Sequence, residues 1–258
     1  MNDIQRQQEH FNLVAEEYFR SRSSERAQFI CRTLLEYLVE NSPLKTMFDQ
    51  DVLILDAMCG FANNLDLLRQ VLPSNFTYEA FDYSDKIVEF AKSNHPEAYI
   101  YCQDICKLDQ KDKYDIVILI GGLHHVYSNI NIALNNIQNA LKQSGYFINF
   151  EPTHNNIITK AIREYTYKHD DFFDETTEKD FTTDELNSLM ADANLRPVFQ
   201  FYPGLLAYVL WYNPDVFPKL NIGSMPFVKF YVNIEKKIWS TRFSRFFSFA
   251  TYSLFQKI

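Results

Sequence analysis

The stretch that decides the fold of this chain is residues 52–64, VLILDAMCGFANN. An apolar run predicts a strand that ends near Asp56, and a turn of small residues leads from it into a predicted helix. A second apolar run ends in Asp82, 26 residues after Asp56, which is close to the spacing of about 20 residues in a dinucleotide fold. A carboxylate there can bind both hydroxyls of a ribose, so the pattern indicates an adenosine-containing cofactor.

The details of the turn favour one cofactor class over another. A nicotinamide or flavin pyrophosphate favours a GxGxxG loop, whereas this loop holds a single glycine, Gly60. Residues 56–62, DAMCGFA, instead resemble the DxGxGxG loop of class I S-adenosylmethionine-dependent methyltransferases. Residues 81–84, FDYS, resemble the start of the family's next helix, with Ser84 as its predicted N-cap. Asp104 matches the acid that meets the adenine amino group in the family.

Two further segments extend the resemblance, which covers about residues 10–201. Residues 114–126, YDIVILIGGLHHV, resemble the fourth strand and its active-site end, and residues 141–148 resemble the turn into the fifth strand. The resemblance implies S-adenosylmethionine as the cofactor. The residues that it places around that cofactor are Tyr18, Asp56, Ala57, Gly60, Asp82, Tyr83, Asp104, Ile105 and Gly121. Met58 and Ala62 stand where the family prefers glycine, which predicts crowding of the cofactor's carboxypropyl end or a shifted pose.

The implied fold class is α/β, a doubly wound and mostly parallel seven-stranded sheet with an antiparallel final strand. Residues 1–50 are expected to form an N-terminal helical cover in which Tyr18 closes over the cofactor or simply packs as part of an amphipathic helix. Residues 51–202 are the predicted cofactor-binding core and 203–247 a helical insertion or lid. Within the core, Thr182 is the predicted N-cap of a helix, and residues 196–202 are the predicted sixth strand. Residues 248–258 are the predicted final strand.

Composition limits the expected domain size, metal content and cellular compartment of the protein. The chain has 258 residues, 47% apolar, enough for one good core with attachments. Its four cysteines form neither a CxxC pair nor a histidine–cysteine metal pattern, so we expect no metal and a reducing compartment. The polar N-terminus lacks a signal-peptide core and no run reaches the ~20 apolar residues of a membrane span. We therefore expect a cytoplasmic protein, with peripheral membrane contact as an open alternative.

The charge is unevenly distributed. The net charge is −8, but residues 219–258 hold seven basic residues and one acid, so this tail carries +6 and the remainder −14. Such an acidic body argues against nucleic acid as the substrate. From Pro226 to about Phe247 the sequence predicts a basic amphipathic helix. This helix is either a lid or membrane-surface element for a lipid-linked acceptor, or a helix packed on its own domain. The residues predicted to share its apolar face are Phe227, Phe230, Tyr231, Ile234 and Ile238.

Methyl transfer from a sulfonium is a direct displacement that needs alignment and exclusion of water, and no covalent nucleophile. A hydroxyl acceptor must lose its proton, which suits a base with a pKa near neutrality. His125 is the first candidate and His124 the second, followed by Glu151; His154 lies in the same region, at the carboxyl ends of the fourth and fifth strands. Because the two histidines are adjacent, we expect one of them to pack or to contact the cofactor.

Three functions stay open at this point. The first is methylation, on oxygen, of a small-molecule or lipid- or saccharide-linked acceptor. The second is a catalytically inactive methyltransferase-like binding module, and the third, which the loop disfavours, is a nicotinamide-dependent oxidoreductase. The oligomeric state and the identity of the acceptor do not follow from the sequence.

Overall fold

The structure, a computed structural model, describes residues 24–49, 51–73, 76–167, 179–213 and 218–258. The predicted contact of Tyr18 with the cofactor lies outside these residues. Within them the chain forms one seven-stranded sheet in the order β3-β2-β1-β4-β5-β7-β6. The strands are β1 (Val52–Ala57), β2 (Phe76–Asp82), β3 (Tyr99–Cys102), β4 (Tyr114–Ile120), β5 (Leu141–Pro152), β6 (Leu195–Phe201) and β7 (Ala250–Lys257).

The sheet confirms the predicted α/β class. β7 runs antiparallel to both β5 and β6, while β1 lies parallel to β2 on one side and to β4 on the other. The chain order therefore reverses next to β1, and ligands of open α/β sheets bind in the crevice at the carboxyl ends of such strands. β6 begins at Leu195, one residue before the predicted start.

Helices cover both faces of the sheet. They are α1 (Glu25–Glu40), α2 (Asn63–Val71), α3 (Asp85–Asn94), α4 (Ile130–Ala140), α5 (Ile157–Tyr167), α6 (Thr183–Asp192), α7 (Met225–Glu235) and α8 (Arg242–Phe247). Two predicted N-caps are confirmed. The hydroxyl of Ser84 accepts the N–H of Ile87 at 3.3 Å, and that of Thr182 accepts the N–H of Glu185 at 3.0 Å. Each bond satisfies a donor that the first helical turn leaves without a backbone partner.

The single helix predicted from Pro226 to about Phe247 is wrong. The structure has two helices, α7 and α8, because the chain turns between them and Trp239 enters the core with 1% of its surface exposed. Thr241 then starts the second helix by accepting the N–H of Ser244 at 3.2 Å. Helical periodicity alone does not register a turn that is stabilised by the burial of one indole.

Part of the apolar face predicted for residues 226–247 is exposed and does not pack on the domain. Phe227, Phe230 and Ile234 share a face, but they are 53%, 64% and 48% exposed. α7 packs on the domain through Val228 and Val232 instead, which belong to the same core cluster as the sheet residues under α1. An exposed aromatic face on an otherwise well-packed helix is a feature that calls for a partner.

Glu235 holds the insertion together from inside. Its carboxylate accepts the backbone N–H of Ala207 at 3.1 Å and the indole N–H of Trp239 at 3.3 Å. Burial raises the pKa of Glu235 to about 7, since the charged form is poorly solvated there. The segment before α7 is thereby tied to the end of that helix. No helix in the described ranges is long and apolar enough to cross a bilayer.

Candidate functional site

The loop after β1 has backbone angles that favour glycine. Met58, Gly60 and Ala62 have φ angles of 54°, 54° and 59°, all in the left-handed region. This conformation costs a residue with a Cβ about 1–2 kcal/mol. The loop therefore keeps a left-handed backbone at both positions where the family prefers glycine. Gly60 has open space around it, so the main chain there is accessible to a ligand.

Asp82 couples this loop to the end of β2. One carboxylate oxygen accepts the N–H of Gly60 at 3.0 Å and the other accepts the N–H of Ser84 at 3.0 Å. Burial raises the pKa of Asp82, although these hydrogen bonds oppose the rise. An ionised carboxylate has about four acceptor positions, so Asp82 can accept further hydrogen bonds from a ligand.

Asp56 was predicted to bind the cofactor, but its carboxylate is hydrogen-bonded within the protein. It is fully buried, where it accepts the hydroxyl of Tyr78 at 2.7 Å and the amide of Asn64 at 3.1 Å. Burial raises the pKa of Asp56 to about 7. Neither Asp56 nor its neighbour Ala57 belongs to the described wall of the cavity. Asp56 instead anchors Asn64, which does line that cavity.

Asp104 and Ile105, which follow β3 and were predicted to bind the cofactor, do not line the cavity either. Asp104 accepts the N–H of Cys106 at 2.9 Å and thereby caps the short turn that follows β3, and Ile105 is buried. Neither is among the described residues that line the cavity. The N–H of Gln103 donates to the backbone oxygen of Asp82 at 2.9 Å, so this turn still adjoins the end of β2.

A cavity of about 670 Å³ opens at the carboxyl ends of the strands, within the usual size range of ligand pockets. The predicted residues that line it are Gly60, Asp82, Tyr83, Gly121 and His125. Other residues that line the cavity were not predicted from the sequence, among them Phe29, Arg32, Tyr212, Met225 and Lys229. Phe29 and Arg32 are three residues apart, a helical spacing that the sequence does display. Nothing in the sequence brings α7 to the same cavity.

His124 and Glu151 form a buried pair at the end of β4. The carboxylate of Glu151 lies 2.7 Å from Nδ1 of His124. Its other oxygen accepts the N–H groups of Gly122 at 3.1 Å and Leu123 at 2.9 Å. Glu151 thus fixes the turn after β4 by binding its main chain and its histidine. Both side chains lie outside the described cavity wall.

His125 lines the cavity, whereas its neighbour His124 does not. The two imidazole rings are 4.0 Å apart between centroids and tilted by 38°. Gly121, with a φ of 66°, permits the sharp turn that presents this pair. A Cβ at Gly122 would lie 2.9 Å from the Cδ2 methyl of Leu119, so a larger residue there would require that side chain to shift. His125 is therefore a base candidate that a ligand in the cavity can reach.

His154, the fourth candidate from the sequence, is engaged elsewhere. Its Nδ1 lies 2.6 Å from the carboxylate of Asp180, which also pairs with Arg163 at 3.3 Å. The side chain falls outside the cavity lining described above. In the described part of the chain, no group of three or more histidine, cysteine, aspartate or glutamate side chains has the geometry of a metal site.

Residues 54–145 match the family model described as "Methyltransferase domain". A comparison with curated proteins gave no match. The match covers β1 to the turn into β5, and so includes the left-handed loop, Asp82 and both adjacent histidines.

Solved structures share this fold at low sequence identity. A putative sarcosine dimethylglycine methyltransferase from Galdieria sulphuraria is 13% identical, with 83% of this chain and 82% of that chain covered and a TM-score of 0.58. The putative methyltransferase in complex with the Trm112 methyltransferase activator from Haloferax volcanii is 16% identical, with 95% and 96% covered and a TM-score of 0.62. The [4+2]-cyclase SpnF is 14% identical, with 88% and 80% covered and a TM-score of 0.60.

The family match, the strand order and the left-handed loop beside Asp82 agree with one another. The cavity at the carboxyl ends of the strands has a carboxylate and open main chain for S-adenosylmethionine, the cofactor of this domain. Residues 54–145 therefore carry a methyltransferase domain, and the chain has the fold of S-adenosylmethionine-dependent methyltransferases.

Proposed function

We propose that this protein methylates an oxygen atom of a small-molecule or lipid- or saccharide-linked acceptor that binds in the cavity. The observation that carries the proposal is that Asp82 and His125 line the same cavity, one beside the left-handed loop and the other at the end of β4. A cofactor-binding acid and a base candidate thus share one space.

Each of these residues has a distinct task in the proposed reaction. Asp82 accepts hydrogen bonds from the ribose hydroxyls, and the open main chain at Gly60 contacts the cofactor. S-adenosylmethionine supplies a methyl group on a sulfonium. His125 takes the proton of the acceptor hydroxyl as the new bond forms. The walls of the cavity limit the access of water, which favours displacement in a defined line.

The alternative functions make different predictions. A nicotinamide enzyme would need a loop suited to a diphosphate, and the loop at residues 58–62 has a single glycine. An inactive binding module would bind the cofactor without turnover. SpnF, a [4+2]-cyclase with a similar fold, shows why fold alone does not assign the reaction. A screen for transfer of the labelled methyl group to candidate acceptors separates methylation from mere binding.

We predict that the protein binds S-adenosylhomocysteine, the product form of the cofactor, but not NAD. The single-glycine loop presents main chain to an adenosine with a small sulfur substituent, whereas a pyrophosphate would lack its glycine-rich cradle. Isothermal titration calorimetry with both ligands measures this directly. Preferential binding of NAD would contradict the proposal.

The proposal also includes peripheral membrane contact through residues 226–247. Support comes from the exposed phenylalanines of α7 and α8, among them Phe230 at 64% and Phe243 at 59% exposed. Four basic residues accompany them, but two already have acidic partners: Lys236 pairs with Glu40 and Arg245 with Asp184. Lys237 and Arg242 lie within 4.0 Å of no carboxylate in the described residues, which leaves them for anionic lipid headgroups.

We predict that the protein co-sediments with vesicles containing anionic lipid and that salt weakens this binding. Changing both Lys237 and Arg242 to glutamine should reduce binding about 30-fold, since each basic residue near the surface contributes about 1 kcal/mol. The matched control changes Lys86 and Lys111, both exposed, to glutamine, which removes the same charge from another part of the surface. Equal losses in the two double variants, or no sedimentation with anionic vesicles, would contradict membrane contact.

A further inference from the structure

We propose that Arg32 of α1 and Lys229 of α7 bind an anionic group, carboxylate or phosphate, of the methyl acceptor. This inference rests on the proposed function, since it assigns a substrate class to the same cavity. Both side chains line that cavity, and they belong to elements that are 197 positions apart in the sequence.

One aromatic ring lies close to both cations. The guanidinium carbon of Arg32 is 6.0 Å from the centroid of Phe29, and the ammonium of Lys229 is 5.8 Å from the same centroid. Phe29 is half-buried and packs on the core beneath α1. Such cation–π contacts stabilise each cation by electrostatic attraction to the face of the ring. The positive charges of Arg32 and Lys229 therefore lie near the same ring, that of Phe29, on one side of the cavity.

The positive charge of these two residues is weakly neutralised by the protein. Nε of Arg32 is buried, yet it has no hydrogen-bond acceptor among the described residues. The one carboxylate within 4.0 Å of it there is Glu36, at 3.4 Å on the same helix, where both side chains are about two-fifths exposed. Exposed ion pairs of this kind contribute little to stability. Lys229 has no carboxylate within 4.0 Å in the same described ranges, whereas Lys236, further along the chain, pairs with Glu40.

The acids that also line the cavity are engaged or solvated. Asp82 accepts two backbone N–H groups, Asp66 lies 4.0 Å from Arg69, and Glu25 is exposed in the first turn of α1. An anion beside Phe29 would thus replace solvent around Arg32 and Lys229. Charge-assisted hydrogen bonds to a carboxylate or phosphate are about twice as strong as neutral ones.

The rest of the wall indicates what the anionic group is attached to. The same cavity is lined by apolar and aromatic side chains, including Leu35, Ile120, Phe150, Tyr212 and Met225. These surfaces favour a hydrocarbon or aromatic body by burial of apolar area. The expected acceptor is an amphiphilic anion whose hydroxyl reaches His125.

The probes that test this site are decanoate, decyl phosphate and uncharged decanol, titrated into protein saturated with S-adenosylhomocysteine. We expect both anions to bind more tightly than decanol. Arg32→Met and Lys229→Met should each weaken decanoate binding about 10-fold and leave decanol binding unchanged. Arg32→Lys should restore part of the loss, because it keeps the charge without the planar fork. Lys111→Met is the matched control, since this exposed lysine lies outside the cavity lining, and it should bind decanoate normally.

Three results would overturn the assignment. They are equal binding of decanoate and decanol, no binding of either anion, and an equal loss in Lys111→Met. The source of the anion is tested by comparing S-adenosylhomocysteine with methylthioadenosine, which lacks the amino-acid carboxylate. If Arg32→Met or Lys229→Met weakens only the former, the residue binds the cofactor's own carboxylate and the acceptor assignment is wrong. Normal binding of S-adenosylhomocysteine by all variants would leave the proposed function intact while testing this inference separately.

Discussion

Asp82→Ala should lower the affinity for S-adenosylhomocysteine by at least about 100-fold. Each hydrogen bond from a ribose hydroxyl to a charged acceptor contributes roughly 1.5–3 kcal/mol, and the variant loses two of them. It also removes the acceptor of the Gly60 N–H, so the loop loses a bond that sets its approach to the ligand. Isothermal titration calorimetry on the folded variant gives the change in affinity directly.

Asp104→Ala is the matched control for this experiment. Asp104 caps its own turn and stands outside the described cavity wall, so its removal should weaken binding much less than the loss of Asp82. A thermal melt of each variant checks that the domain is folded, since Asp82 also bonds Ser84. Unchanged affinity in Asp82→Ala would show that the ribose is held elsewhere. Equal losses in both variants would place the adenosine across both acids.

His125→Asn should reduce kcat by about 100-fold or more and leave cofactor affinity unchanged. An asparagine of similar reach can hydrogen-bond the acceptor but cannot take its proton at neutral pH, and general base catalysis typically contributes 10²–10⁴-fold. The measurement is the rate of S-adenosylhomocysteine formation with an acceptor identified by the label-transfer screen. It should be followed at several pH values, because the loss of an imidazole base changes the pH profile.

The adjacent histidine gives an internal comparison. His124→Asn removes the ring that contacts Glu151 at 2.7 Å and leaves a buried carboxylate with a poorer partner. We expect a loss of stability, about 1–3 kcal/mol, in place of a selective loss of proton transfer. A melting temperature that falls in His124→Asn but not in His125→Asn would separate the two roles. A near-normal kcat in His125→Asn across pH would assign the proton to another group or to solvent.

The two histidines also show where sequence reasoning stops. Their position after an apolar strand predicts that they lie at the ligand-binding edge of the sheet, and the structure has them there. Their directions depend on Glu151, which is 26 positions away from His125 and buried beside the turn. The carboxylate accepts the N–H groups of Gly122 and Leu123 and also contacts His124, so a residue of β5 holds the turn that leaves His125 on the cavity wall.

The basic tail gives a second example. Its charge and aromatic content are visible in the sequence, and they predicted an amphipathic helix. The number of helices depends on Trp239, whose burial accompanies a turn between α7 and α8. Which face packs depends on the surface that α7 meets, because Val228 and Val232 fit the core while Phe227 and Phe230 stay exposed. Periodicity describes one helix at a time and carries no information about its neighbour.

What the sequence by itself determined is local and repetitive: the apolar strands, the N-caps at Ser84 and Thr182, and the loop before α2 with Asp82 at the end of β2. These features depend on residues a few positions apart and on a chain order that few topologies satisfy, so the α/β class and its cofactor followed from them. Only the tertiary structure decided that His125 and not His124 lines the cavity, and that Arg32 and Lys229 approach one phenylalanine. Those outcomes depend on packing between distant segments, where small differences in volume and hydrogen bonding select one arrangement.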